Sequence, residues 1–393
     1  MFSVGEDFRR ALIFSGAAML FVVASAWWLY LSKVKTPIGN LSRPSPHLAV
    51  WLVGLLGFSM ILLVTGAWWD ASKHIQTGEV PAGADFLWPP HIMIYGSFML
   101  SFIVAGISLG LVARPEIRAG RRDPRLWVRG NPFLGAVALA SIYAIFTIPG
   151  DAIWHALYGI DLTAWSPPHV LLGVASCAVL ISALGLLRSS RPAGERSAWY
   201  GMTTIGLLTM VLSFGYLLAV IEWELPGAGN PHVLARPIWE YPVAAAVAAF
   251  IPLALAARLT SFRWAATATA LAFYALRLLT MAGLSLTGNV VPYLPLWFLL
   301  GAVFMDLIRL PQVKLPARWR GLAEAAAFSM GYAALALPLL TLRPDLRAFT
   351  GTDRLLAVVI TFALCAALEP LVEVAARRLG RPGDAHTLGA SAL

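Results

Sequence analysis

The sequence predicts an all-α polytopic integral membrane protein of about eleven transmembrane helices. Three observations carry that expectation. The 393 residues are 59% hydrophobic and only 12% charged, with a mean hydropathy of +0.74; soluble chains carry roughly 25% charged residues. Apolar runs long enough to cross a bilayer recur from near residue 11 to residue 376. The basic residues gather in alternate loops, as the positive-inside rule requires of a chain that crosses repeatedly. Helices are preferred to strands because an open strand edge facing lipid would leave backbone groups without partners.

The spans fall near residues 11–32, 48–69, 91–113, 132–150, 169–187, 200–221, 242–257, 265–285, 291–308, 322–342 and 355–376. Pro and Gly punctuate most of their ends, as in the stretch Arg43-Pro44-Ser45-Pro46. Residues 11–32 are long enough to span and lack a clear cleavage site, so they are expected to stay as a membrane helix rather than act as a removable signal. The whole chain 1–393 reads as one membrane domain. Within it, residues 48–113 and 132–187 form two repeated hairpins, 200–257 a degenerate third, and 265–376 a C-terminal helical bundle.

Most of the 29 Lys and Arg residues sit in one set of loops, the densest run being Arg114, Arg118, Arg121, Arg122, Arg125 and Arg129. That set belongs in the cytoplasm together with the C-terminus, although Arg9 and Arg10 fall on the opposite side. The formal charge of +9 is therefore a mark of topology, and a nucleic-acid partner is excluded. The partners expected are the lipid bilayer and other subunits of a membrane complex. The chain is expected to be a multi-pass protein of a bacterial inner (plasma) membrane. Cys177 and Cys365 both lie within expected spans, which gives neither a disulfide nor a Cys-x-x-Cys site.

Against this background one polar motif occurs twice. The first copy is Asp70, His74, Trp88 and Pro89-Pro90-His91; the second is Asp151, His155, Trp165 and Pro167-Pro168-His169. Gly78 and Gly159 each follow the first His by four residues, and Asp85 and Asp161 lie in the two connecting loops. Four of the seven His residues belong to this repeat. Residues four apart share a helix face, so each Asp-x3-His pair can point one way. Proline suits a first helical turn, so Pro-Pro-His begins the returning helix and brings a second imidazole back to the same level.

Each hairpin thus offers one carboxylate and two imidazoles, a set suited to iron, copper or zinc, with copper or iron favoured. The expected metal ligands are Asp70, His74, His91, Asp151, His155 and His169. Glu222, Glu224 and His232, in the third hairpin, are further ligand candidates. Asp85 and Asp161 are expected to orient imidazole N–H groups, with Trp88 and Trp165 lining the site. The charge pattern sets all three connecting loops, 70–90, 151–168 and 222–241, on the extracytoplasmic side. An interfacial cap beside an ordinary helix start explains one such copy about as well, but it does not explain why the ionisable residues recur in two.

The spacing Asp-x3-His followed by a later His resembles the metal-binding motif in the C subunit of copper-dependent membrane monooxygenases. Thirteen residues separate His155 from His169 and sixteen separate His74 from His91; the family pattern is close to the former and shorter than the latter. The resemblance covers about 20 residues per copy. It implies metal ligation at Asp151, His155 and His169 and, through the repeat, at Asp70, His74 and His91. The wider pattern of Asp-x3-His, Trp and Pro-Pro-His also resembles a group of bacterial polytopic membrane proteins.

Charged residues within the later spans include Arg277, Asp306, Glu324, Glu369 and Glu373. Arg277 and Glu369 are expected to form an intramembrane ion pair. The functions this sequence supports are, first, a copper- or iron-dependent oxidoreductase acting on a lipophilic or small apolar substrate at the outer membrane face. The alternatives are a metal or ion transporter using Arg277, Glu369 and Glu373 as its inner path, a non-catalytic assembly subunit of a respiratory complex, and a zinc-dependent lipid hydrolase.

Overall fold

A computed structural model describes residue 17 and residues 20–34, 44–77, 88–158, 167–190, 198–225, 237–343 and 349–380. The described residues form helices and connecting turns only. In order these are α1 (Leu20–Leu31), α2 (Pro46–Thr77), α3 (Pro89–Arg118), α4 (Pro124–Gly130), α5 (Pro132–Tyr158) and α6 (Pro167–Ser189). Then follow α7 (Ala198–Glu224), α8 (Glu240–Leu259), α9 (Ala265–Leu286), α10 (Phe298–Ile308), α11 (Ala317–Thr341) and α12 (Gly351–Gly380). Nine of these described helices are long and apolar enough to cross a membrane, whereas α1 and α10 are shorter apolar helices.

Local sequence explains where many helices start. Proline opens α2, α3, α4, α5 and α6, positions where its missing N–H would have had no intrahelical acceptor. Asp123 caps α4 by accepting from the Arg125 amide at 2.9 Å.

The chain divides into two compact units. The first holds α1, α2 as far as Gly66, and α3 to α6; the second holds α2 from Ala67 and α7 to α12. The first two hairpins of the motif thus lie mainly in one unit, and the third hairpin belongs with the C-terminal bundle.

In the first unit α5 packs against both α6 and α3, and α4 packs against α5 and α1. Gly185 of α6 lets the Phe133 ring of α5 in, since a Cβ there would come within 2.2 Å of it. The end of α1 and the residues just after it receive arginine donors from α4: Arg129 Nε bonds Leu29 O at 2.9 Å, and Arg125 Nη1 bonds Lys33 O, two residues past the helix, at 3.2 Å. Helix C-terminal carbonyls have no intrahelical donor, so Arg129 completes the end of α1.

In the second unit α7 packs on α8 and α9, α8 on α12, and α11 on both α10 and α12. The α10–α11 crossing is close because it is made by glycines. A Cβ on Gly331 would sit 2.7 Å from the Leu300 carbonyl, and one on Gly301 would sit 2.8 Å from the Phe328 ring. Residues 291–308, expected as one span, are helical only from Phe298. Pro292 and Pro295 hold the stretch before it out of helical conformation. Asp306, buried on α10, caps the start of α9, accepting from the Thr267 amide at 2.8 Å, its hydroxyl at 2.7 Å and the Ala266 amide at 3.2 Å.

Candidate functional site

In the first unit the second motif copy folds as a helical hairpin. Helix α5 carries Asp151 near its C-terminal end and α6 begins with Pro167-Pro168-His169. The hairpin brings His169 Nε2 to 3.5 Å from Asp151 Oδ1, with the Asp151 residue 3% exposed and the His169 side chain 27% exposed. Two ligand atoms on one transition-metal ion, each about 2.0–2.2 Å from it, lie about 3–3.5 Å apart. One cation can therefore touch both atoms where they stand. His155 lies one turn after Asp151 on α5, and its side chain is outside the described residues. His91, at the corresponding place on α3, is buried; its ring meets Trp88 edge-on at 5.6 Å and lies 5.5 Å from Tyr95. Trp88 itself occupies the position just before α3.

Asp70 lies on the part of α2 that belongs to the second unit, in the turn that carries Trp68. His74 is one turn further on, with its side chain outside the described residues, as is that of Glu222 on α7. Asp85, Asp161, Trp165 and His232 lie outside the described residues altogether. Among the described residues no three His, Cys, Asp or Glu side chains are grouped closely enough to hold a metal ion. Of the expected ligand set, the structure brings Asp151 and His169 together.

Glu224 has a different environment from the one expected of a metal ligand. It is the last residue of α7, is 0% exposed, and both of its oxygens are engaged. Oε1 accepts from the Tyr216 hydroxyl at 2.6 Å and from the Tyr241 hydroxyl, and Oε2 accepts from Arg277 Nη2 at 2.5 Å. Arg277 also donates to the Tyr293 carbonyl, through Nη2 at 2.9 Å and Nε at 3.2 Å, and stacks on Trp68 with its carbon 3.8 Å from the ring centre. The Tyr293 amide in turn donates to the Glu224 carbonyl at 2.9 Å. Arg343 Nη2 donates to Trp223 O at 2.5 Å and Nη1 to Tyr241 Oη at 3.1 Å, while its guanidinium lies 3.6 Å above the Tyr293 ring. Ser72 Oγ reaches the Val290 carbonyl at 2.7 Å.

These polar groups bond the irregular backbone between α9 and α10. A non-helical strand of chain packed inside a helical bundle must find partners for its carbonyls and amides, and Arg277, Glu224 and Ser72 supply them.

The expected Arg277–Glu369 ion pair is corrected: Arg277 pairs with Glu224, and Glu369 pairs with Arg258 at 2.7 Å. Arg258, at the far end of α8, gathers three carboxylates, adding Glu324 at 2.9 Å and Glu373 at 3.0 Å. Glu324 also meets Arg309 at 2.8 Å, and Glu373 meets Arg377 at 2.9 Å. In sequence Arg258 is an arginine at a span end and so looks like a topology marker. Tyr216, Tyr241 and Tyr293 carry no spacing signal, being single tyrosines in an apolar chain, and Arg343 looks like a charge of an extracytoplasmic loop.

The fold defines the class: a polytopic helical membrane protein. Compared with known proteins, the chain matches no family model, no curated protein and no solved structure.

Proposed function

We propose that this protein is a membrane-embedded metalloprotein, a copper- or iron-dependent oxidoreductase acting on a lipophilic or small apolar substrate at the outer face of a bacterial plasma membrane. In this reading the chain crosses eleven times, with α1 and α10 contributing the two short crossings, and its C-terminus is cytoplasmic. The observation that carries the proposal is the approach of His169 Nε2 to Asp151 Oδ1 at 3.5 Å across the α5–α6 hairpin. An acid and an imidazole distant in sequence meet there at the separation that two ligands of one ion adopt. His155, one turn from Asp151, would be the third ligand, and the repeat carries the same residue types at Asp70, His74 and His91. A carboxylate with two imidazoles leaves open positions on iron or copper for a substrate or oxidant, which is what redox chemistry at a metal needs.

The transport alternative loses support, because each group of its inner path is closed in an ion pair: Arg277 by Glu224, Glu369 by Arg258, and Glu373 by Arg258 and Arg377. The test is metal analysis of detergent-purified protein, wild type against His155→Ala/His169→Ala. Stoichiometric copper or iron in the wild type, lost in the variant, supports the reading; stoichiometric zinc instead moves it to hydrolysis. Wild-type protein that holds no metal after loading sinks it.

A further inference from the structure

Arg277 is 3% exposed and makes three hydrogen bonds through Nε and Nη2, yet its Nη1 edge has no acceptor among the described residues. A buried guanidinium N–H without an acceptor is costly, and an anionic oxygen is its strongest partner. A second orphaned donor borders the same cluster. Trp297 is 3% exposed, its indole Nε1 has no acceptor among the described residues, and its ring packs edge-on against Tyr241 at 5.8 Å. Tyr241 donates to the carboxylate that Arg277 also binds. Trp297 is also the residue that precedes α10, whose first amides, those of Phe298 and Leu299, face the buried Tyr274 hydroxyl.

We propose that this end of the second unit, bounded by Arg277 and Trp297, binds an anionic oxygen group, a phosphate or carboxylate. The group is either a free anion or the headgroup of an acidic lipid. Arg277 Nη1 supplies the charge-assisted bond and Trp297 Nε1 a neutral one. Glu224 holds the guanidinium in place without consuming that edge. Trp68 covers the face of the guanidinium, so an anion must approach in the guanidinium plane. The site is independent of any metal bound at Asp151 and His169.

The experiment is thermal unfolding of the full-length protein, followed by tryptophan fluorescence, during titration with inorganic phosphate and with acetate at constant ionic strength. Parallel samples sit in nanodiscs of phosphatidylcholine with and without phosphatidylglycerol. Two variants are compared: Trp297→Phe, which leaves the ion pair untouched, and Arg277→Lys, which keeps the charge but removes the Nη1 donor. A saturable rise in melting temperature with phosphate or acetate, its midpoint shifted tenfold or more in Trp297→Phe, supports a free-anion site. Stabilisation by phosphatidylglycerol alone, reduced in the same variant, supports a lipid headgroup. Wild type without saturable stabilisation by any of them overturns the proposal, as does a Trp297→Phe protein that responds like wild type. Should Arg277→Lys fail to fold, Trp297→Phe carries the test alone.

Discussion

Asp151 with His169 and Glu224 with Arg277 are both acid–base contacts between helices, and they are built to opposite specifications. The first is loose: the atoms stand 3.5 Å apart and the imidazole is 27% exposed. The second is closed: 2.5 Å between guanidinium and carboxylate, two tyrosine hydroxyls on the other carboxylate oxygen, and an indole beneath the cation. The Glu224 carboxylate is satisfied on both oxygens, because a buried charge left over is expensive, and the gap left in this contact is the Nη1 edge of Arg277, which has no acceptor among the described residues. A contact that serves a ligand keeps room for it. The contrast separates candidate chemistry from architecture more sharply than residue type does, since Glu224 and Asp151 were equally plausible ligands by composition.

The largest expected effect tests the closed contact. Glu224→Ala leaves Arg277 buried without its carboxylate and should destabilise the protein by about 3–5 kcal/mol, read as a lower melting temperature in detergent. Replacing both partners together, Glu224→Leu with Arg277→Met, should recover only part of that loss, because the uncompensated charge is gone but the Tyr216 and Tyr241 hydroxyls and the Tyr293 carbonyl lose these partners. A double variant as unstable as the single one would mean that the pair does more than satisfy itself and the Tyr293 carbonyl. The loose contact should behave differently: His169→Ala is expected to lower the melting temperature less than Glu224→Ala, because the imidazole is 27% exposed, and to abolish the metal binding proposed above. A large stability loss there would make Asp151–His169 an architectural pair and erase the contrast.

The smallest effect is a control outside the spans. The Arg125 side chain, hydrogen-bonded to Asp123, holds that carboxyl below the usual carboxylate range. Its folded-state pKa lies below the unfolded one, so its stabilisation is present above the unfolded value of about 3.9 and fades as pH falls through the folded value. Asp123→Asn should therefore flatten a slight acid-side slope in the melting temperature by lowering stability slightly at neutral pH and leaving it nearly unchanged in acid; an unchanged slope would remove Asp123 from the account.

Much of the helical plan was legible before any coordinates. The positions of apolar runs and of Pro46, Pro89, Pro132 and Pro167 mark helix starts, since proline is well placed in a first turn, where its missing N–H has no intrahelical acceptor, whereas the short helix at Pro124 lies in an expected loop. The ninth expected span is helical only in its second part, from Phe298. Its hydropathy is that of a helix, but Pro292 and Pro295 keep its first part extended, and hydropathy does not register backbone conformation. The motif repeat correctly singled out Asp151 and His169 as neighbours across a hairpin, because their distance depends only on a local turn and two proline-started helices. The pairing of Arg277 was not legible in that way. Glu224 and Glu369 are both acids in or beside spans, and the choice between them depends on which helices adjoin α9.

By itself, then, the sequence determined the class of protein, most helix starts and the hairpin that joins Asp151 to His169. These follow from bilayer solvation of the backbone and from proline stereochemistry, both local effects. Only the tertiary structure decided that Arg277 serves Glu224 and the Tyr293 carbonyl, that Arg258 gathers Glu324, Glu369 and Glu373, and that Asp306 caps α9. A buried charge takes whatever counter-charge the helix packing brings within reach, and in this chain those partners lie tens of residues away in sequence.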